Sequence, residues 1–149
     1  RQKAMQVDFY QLTRDPAEKV IPVLAQRVLD GDGRMLVVSG EGDQLDRLSN
    51  ALWNAKPDSF LAHAKAGDGD DALQPILLSA TPDAANGARF VALADGEWRD
   101  EALGFDRIFY LFPPSHTDNA RTAWRTLASR EDVERRYWKQ DGGKWVQGP

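Results

Sequence analysis

Apolar residues recur along the chain with two periods, one typical of strands and one of helices. The segment 6–12 (QVDFYQL) is short, aromatic and β-branched, which predicts a first strand. A helix is predicted next, with Asp15 as its N-cap and Pro16 as its first residue, closing at 31–33. Its apolar positions fall at helical spacing: Val20, Ile21, Leu24, Val28 and Leu29.

The alternation continues through the middle of the chain. Residues 34–39 (RMLVVS) form a nearly continuous apolar run, which predicts a central strand covered on both faces. A second helix is predicted over 42–55, and 66–74 is a turn-rich loop. Further strands are predicted at 58–64, 75–80, 88–94 and 106–112.

The C-terminal part predicts a helix and a hairpin. After two prolines, Ser115 or Asp118 can cap a helix that runs to about Ser129. Residues 136–140 and 144–147 flank Asp-Gly-Gly, which is typical of a β-hairpin. The whole pattern predicts one domain over 1–149 of class α/β: a three-layer Rossmann-like domain with a mostly parallel central sheet and a C-terminal hairpin.

Composition narrows the chemistry. The 149 residues include no cysteine and two histidines, so disulfides and thiolate metal sites are excluded and a zinc site is not expected. The longest apolar runs are about six residues, well below the ~20 that span a bilayer, and we expect a cytoplasmic protein. Residues 1–4 are expected to be additional to the natural chain, with Met5 as its first residue.

The net charge of -4 argues against broad, sequence-independent nucleic-acid binding. The charge is unevenly distributed, however. Residues 121–149 carry seven Lys and Arg against four Asp and Glu, net +3, whereas residues 1–120 carry a net charge of -7. The positive charge is therefore concentrated in the C-terminal fifth of the chain.

Within that fifth, the stretch 120–125 (ARTAWR) places Arg121, Trp124 and Arg125 on one helix face. Trp124 could cap the core beneath two solvated arginines. Alternatively, the three could form a small acceptor pocket for an acidic peptide, with guanidinium groups holding carboxylates and the indole forming a wall. The hairpin could complete such a pocket if it folds back, through Tyr137, Trp138, Lys139 and Lys144.

A second candidate surface is the segment 52–63 (LWNAKPDSFLAH), in which Trp53, Pro57, Phe60 and Leu61 surround a predicted helix end. These residues form either a satellite core cluster or an apolar patch for a partner.

Enzymatic motifs are weak, and no cofactor is expected. The turn 39–45 (SGEGDQL) lacks the third glycine of a dinucleotide fingerprint, and the chain contains no G-K-[ST]. Counting from Asp68, a calcium loop would need glutamate at position 79, which is serine. Ser59 and His63 have no nucleophile elbow around them. A nucleotide-binding or enzymatic Rossmann-like domain remains the alternative.

Four ordered stretches together resemble a known family: VDFYQL, ALWNAKPDSFLAHAKAG, ARTAWR and YWKQDGGKW. From about Val7 to Val146 the chain is similar to the chi subunit of bacterial DNA polymerase III holoenzyme. The resemblance implies a non-catalytic accessory subunit of the clamp-loader complex. It also implies two partners: the acidic C-terminal tail of single-stranded DNA-binding protein, which ends in Pro-Phe, and a small subunit, psi. Direct DNA contact would be weak.

Position by position, the resemblance implies that Arg121 and Arg125 take the carboxylates of the tail and that Trp124 flanks the slot for its terminal phenylalanine. Phe112 and Pro113 match a position lining that pocket. The better-known family form has a lysine one turn before the first arginine, where this chain has 117–119 (TDN), so that contact is either missing or replaced by Lys139 or Lys144. The psi-facing segment maps to Trp53, Pro57, Ser59 and Phe60.

Overall fold

Strands and helices alternate along the chain as the hydrophobic pattern predicts. The computed structural model describes residues 5–54, 61–141 and 144–148. Short 3-10 turns lie at Asp71–Leu73, Asp100–Gly104 and Pro114–His116. Within the described ranges the strands and α-helices are β1 (Met5–Gln11), α1 (Ala17–Asp30), β2 (Met35–Val38), α2 (Gly42–Trp53), β3 (His63–Lys65), β4 (Ile76–Ser79), β5 (Phe90–Leu93), β6 (Arg107–Phe112), α3 (Thr117–Leu127), β7 (Val133–Asp141) and β8 (Lys144–Gln147).

The strands form one mixed sheet in the order β3-β4-β2-β5-β6-β1-β7-β8. Every neighbouring pair is parallel except β7 and β8, which form the predicted antiparallel hairpin. β1 lies between β6 and β7, with Gln11 opposite both Phe112 and Lys139. The carboxyl ends of these three strands therefore meet at one edge of the sheet.

Helices cover both faces of the sheet, which confirms the predicted three-layer α/β architecture. Apolar residues of α1 and α2, such as Ile21 and Leu48, pack on the face that carries Tyr10 and Leu111. α3 packs on the opposite face through Ala120, Ala123 and Leu127. All four residues of β2 are buried, as expected for an interior strand between two helical layers.

Both predicted N-caps are wrong. α1 begins at Ala17 with Pro16 at the capping position, because the Asp15 carboxylate accepts a hydrogen bond from Gln140 Nε2 at 3.1 Å. α3 begins at Thr117, after a 3-10 turn, and neither Ser115 nor Asp118 caps it. The Ser115 hydroxyl instead lies 3.0 Å from His116 Nδ1.

Other boundaries also differ from the prediction. β7 begins at Val133 rather than Arg136, because its parallel pairing with β1 extends back to Met5. Of the strand predicted over 58–64, residues 58–60 lie outside the described residues, and β3 begins at His63. Across the described ranges, no helix combines the length and the apolar character needed to cross a membrane.

Candidate functional site

A cavity of about 320 Å³, which we call the cationic cavity, lies where α3 meets the carboxyl ends of β1 and β7. Its lining combines basic, aromatic and neutral polar side chains and, among the residues that the structure describes, contains no carboxylate. The lining residues are Gln11, Thr117, Arg121, Trp124, Arg125, Tyr137 and Lys139.

Two periodicities bring these residues together. On α3, Arg121, Trp124 and Arg125 are spaced i, i+3 and i+4, so they share one helix face, as predicted. On β7, Tyr137 and Lys139 are two residues apart and therefore lie on the same face of the sheet. Thr117 lies one helical turn before Arg121, at the position where the resemblance expects a lysine.

Trp124 both lines the cavity and packs beneath it. Its ring makes edge-on contacts with the buried Phe9, at a centroid distance of 5.2 Å, and with Tyr137, at 5.8 Å. Phe9 also stacks on Tyr137 at 6.3 Å. Because three aromatic rings constrain one another, the two exposed walls of the cavity are held in position before any ligand binds.

Tyr137 is fixed by its hydroxyl as well as by its ring. The hydroxyl donates a hydrogen bond to Gln11 Oε1 at 2.6 Å, which joins β7 to β1 at the cavity. Burial raises the pKa of Tyr137, and the charge of Arg121 opposes that rise. The phenol is therefore neutral at physiological pH, and the positive charge of the cavity is not offset by a phenolate.

The three cations of the cavity are poorly compensated. Arg121 has one exposed carboxylate near it, Asp118, at 3.9 Å. Among the described residues, Arg125 and Lys139 have no ion-pair partner. An anion that enters the cavity would therefore meet guanidinium and ammonium groups that are not already neutralised.

Sequence reasoning missed Arg135, which positions Trp124 without lining the cavity. Its Nη1 donates a hydrogen bond to the Trp124 carbonyl oxygen at 2.7 Å, and its guanidinium carbon lies 4.1 Å from the centroid of the Trp124 ring. The alternation Arg135, Tyr137, Lys139 along β7 was the available signal, since it places the three on one face.

Four predicted pocket residues lie elsewhere, and one of them, Trp138, stacks on Tyr10 on the α1 side of the sheet. Phe112 is fully buried and contacts Tyr137 from below, with ring centroids 6.0 Å apart. Pro113 lines a neighbouring crevice instead. Lys144 is exposed and lies opposite Asp141 on the β8 edge, outside the cavity lining.

The second predicted surface is described only in part. Trp53 ends α2 with 49% of its surface exposed, and its ring lies 4.4 Å from that of His63. His63 is buried and held by the Ser49 hydroxyl and the Leu61 carbonyl oxygen. Pro57, Ser59 and Phe60 lie outside the described residues.

A larger crevice of about 420 Å³ lies beside the carboxyl ends of the strands, where α/β folds commonly bind ligands. Four acidic residues line it: Asp15, Glu18, Glu41 and Asp95. Burial raises the pKa of Asp95, but hydrogen bonds from Arg99 and two backbone amides outweigh it, so its pKa lies below the ordinary value. Carboxylates in this position oppose the phosphates of a nucleotide.

The described residues do not form an obvious set of metal ligands either. Over the described part of the chain, no group of three His, Asp or Glu side chains is arranged to hold an ion. The cationic cavity is therefore the better candidate site, although it is smaller than the acidic crevice.

The fold is an α/β domain, and its candidate functional surface is cationic and aromatic. The family profile of the DNA polymerase III chi subunit, HolC, matches residues 5–133. The chain therefore belongs to the DNA polymerase III chi subunit family, as its resemblance predicts, and is an accessory subunit associated with that polymerase in DNA replication. No curated protein matches the chain.

Proposed function

We propose that the protein is a non-catalytic replication adaptor that binds the acidic C-terminal tail of single-stranded DNA-binding protein and links it to the clamp-loader complex. The observation that carries the proposal is a cavity whose described lining has three cations, two aromatic walls and no carboxylate. Family membership supplies the replicase context.

The charges of the cavity suit a carboxylate-rich peptide end. Arg121 and Arg125 lie one turn apart on α3, and Lys139 faces them from β7. Guanidinium groups can bind a carboxylate through two parallel hydrogen bonds, whereas lysine acts as a point charge. We therefore assign the terminal carboxylate to the two arginines and an upstream acidic side chain to Lys139.

The walls suit one aromatic side chain. Trp124 and Tyr137 are nearly perpendicular, at 83°, and form a corner rather than a flat surface. A volume of about 320 Å³ is at the small end of ligand pockets, which favours a chain end of one or two residues over a folded partner. The final phenylalanine of the tail fits this requirement.

The proposal is tested by titrating a fluorescently labelled tail peptide that ends in Pro-Phe. We expect a Kd of about 1–10 μM, or roughly -7 to -8 kcal/mol. Arg121→Ala and Arg125→Ala should each weaken binding about tenfold, since each removes a charged hydrogen-bond donor. Affinity should fall between ~0.1 M and ~1 M salt, as the Debye length shrinks from about 10 Å to about 3 Å.

Matched controls separate the pocket from general charge. Arg89→Ala removes an arginine that is 80% exposed in its side chain and lies outside the cavity, so it should leave the affinity unchanged. A peptide without its terminal phenylalanine should bind at least tenfold more weakly, because the aromatic corner is left empty. Equal binding of that peptide, or equal losses in Arg89→Ala and Arg125→Ala, would refute the pocket.

The clamp-loader link rests on the exposed face of Trp53. Trp53→Ala should weaken co-purification with a clamp-loader subunit such as psi, because large exposed aromatics dominate interface energies. Tail binding should be unaffected, because Trp53 is not part of the cationic cavity. Undiminished co-purification would remove Trp53 from the interface, and loss of both activities would indicate misfolding.

A thermal shift experiment distinguishes the adaptor from a nucleotide-binding or enzymatic domain. A ligand that binds only the native state raises the unfolding temperature. We expect no rise with ATP, GTP or NAD, because the acidic crevice repels phosphate. A concentration-dependent rise would favour the alternative.

A further inference from the structure

A second cationic cavity lies on the opposite face of the sheet, between α1 and the strands β1, β5 and β6. We call it the α1-side cavity; its volume is about 210 Å³. Leu24 and Val28 of α1 form one wall and Phe90 and Phe109 of the sheet form another. These apolar walls leave room for a compact apolar group.

Tyr10 contributes to this lining a hydroxyl that has no hydrogen-bond partner among the described residues. Only 6% of Tyr10 is exposed, yet its hydroxyl forms no hydrogen bond within the part of the chain that the structure describes. Because the buried polar atoms without a hydrogen bond in the described residues do not include this oxygen, solvent reaches it, and it can donate to a ligand acceptor in place of water. Burial raises the pKa of Tyr10 to about 12, so the hydroxyl stays a neutral donor at physiological pH.

Two guanidinium groups line the same cavity. Arg27 of α1 is exposed and has no ion-pair partner among the described residues. Arg107 of β6 is bound to the fully buried Asp8, with Nη2 and Oδ2 2.6 Å apart. Since Asp8 neutralises one of the two guanidinium charges, the cavity carries a net charge of about +1.

We propose that the α1-side cavity binds a monoanionic carboxylate carried on a compact apolar group. The carboxylate would accept hydrogen bonds from Tyr10 and Arg27, and the apolar group would pack between α1 and the two phenylalanines. A phosphate dianion is disfavoured, because Asp8 already compensates Arg107 and the cavity also borders Gly31, at the negative end of α1. This site is separate from the cationic cavity and does not rest on the proposed function.

The probe for this site is 3-phenylpropanoate, and its binding is monitored by two-dimensional NMR of the full chain. A fragment of this size should bind saturably with a Kd of about 1 mM. The control ligands are the neutral 3-phenylpropanamide and inorganic phosphate. Both should bind at least fivefold more weakly than 3-phenylpropanoate, a loss comparable to that of one charge pair. Absence of saturation by 3-phenylpropanoate, or equal binding of the amide or of phosphate, would overturn the proposal.

Three variants locate the site. Tyr10→Phe should weaken binding about tenfold by removing one hydrogen bond to a charged acceptor. It should leave the unfolding temperature nearly unchanged, because the lost hydroxyl has no partner among the described residues. Arg27→Ala should weaken binding roughly threefold, as expected for a half-solvated charge pair. Lys19→Ala removes another exposed cation of α1, one outside the cavity, and should have no effect.

Arg107 is avoided as a variant, because its loss would leave the buried Asp8 unpaired. Unchanged binding in Tyr10→Phe or Arg27→Ala would overturn the assignment, as would binding abolished by Arg125→Ala, which would place the probe in the cationic cavity.

An acetylated peptide ending in Phe identifies the source of the carboxylate. Tighter, Arg27-dependent binding of the peptide would assign the site to a chain end, and weaker binding would assign it to a free organic acid.

Discussion

Arg135 joins the helix and the strand that form the cationic cavity, and its loss should be measurable as stability. Its hydrogen bond to the Trp124 carbonyl oxygen has a charged donor and is partly buried, which is worth about 1.5 kcal/mol. Its contact with the half-buried Trp124 ring adds about 0.5–1 kcal/mol. Arg135→Ala should therefore lower the free energy of unfolding by about 2 kcal/mol, or the unfolding temperature by roughly 6 °C for a chain of this length.

The neighbouring arginine provides the control. Arg136 points to the other face of β7 and pairs with the exposed Glu134 at 3.2 Å, so Arg136→Ala should cost less than about 0.5 kcal/mol. Urea unfolding followed by tryptophan fluorescence measures both variants. The reasoning is refuted if Arg135→Ala costs less than about 0.5 kcal/mol, or if the two variants lose equal stability.

Two further predictions concern stability. Gln140→Ala should lower the free energy of unfolding by about 2–3 kcal/mol, because the Gln140 Oε1 accepts hydrogen bonds from the backbone amides of three consecutive residues, 13–15. Urea unfolding measures this cost, with Lys139→Ala as the control. A cost equal to that of Lys139→Ala would contradict the prediction. Asp95→Asn should destabilise by about 2 kcal/mol at pH 6, because Asp95 pairs with Arg99 at 2.7 Å. Folding lowers the pKa of Asp95, so its contribution to the free energy of unfolding is complete above the unfolded pKa of about 3.9 and is lost as pH falls through the folded pKa. A difference in the free energy of unfolding between Asp95→Asn and the parent that persists undiminished at pH 2 would contradict this.

Local periodicity was sufficient to predict most of the fold. The runs that became β2, β4 and β6 are continuous and apolar, and such runs suit strands covered on both faces. The helix boundaries were less predictable, because a capping side chain can be taken by a distant partner. Asp15 is an example: its carboxylate binds Gln140, 125 residues away, and not the start of α1.

Local spacing predicted the part of the candidate site whose residues are close in sequence, whereas Tyr137 and Lys139 were expected there only on the condition that the hairpin folds back. The i, i+3, i+4 spacing placed Arg121, Trp124 and Arg125 on one face without any tertiary information. Gln11 could not be found in this way, because it enters the cavity through the pairing of β1 with β7. Pro113 was expected to line the pocket on the basis of family resemblance alone. In the structure it follows β6 and lines the acidic crevice.

β7 supplies one of the three cations of the cationic cavity, although the family match ends where this strand begins. Its odd residues Tyr137 and Lys139 face α3, whereas Trp138 packs with Tyr10 on the α1 side. A shift of one residue in register would turn Lys139 away from Arg121, and a shift that puts Trp138 and Gln140 in the places of Tyr137 and Lys139 would leave β7 without a cation in the cationic cavity. Gln140 opposes that shift, because its amide is bonded to the segment that follows β1. The charge of the proposed tail site thus depends on a buried amide outside it.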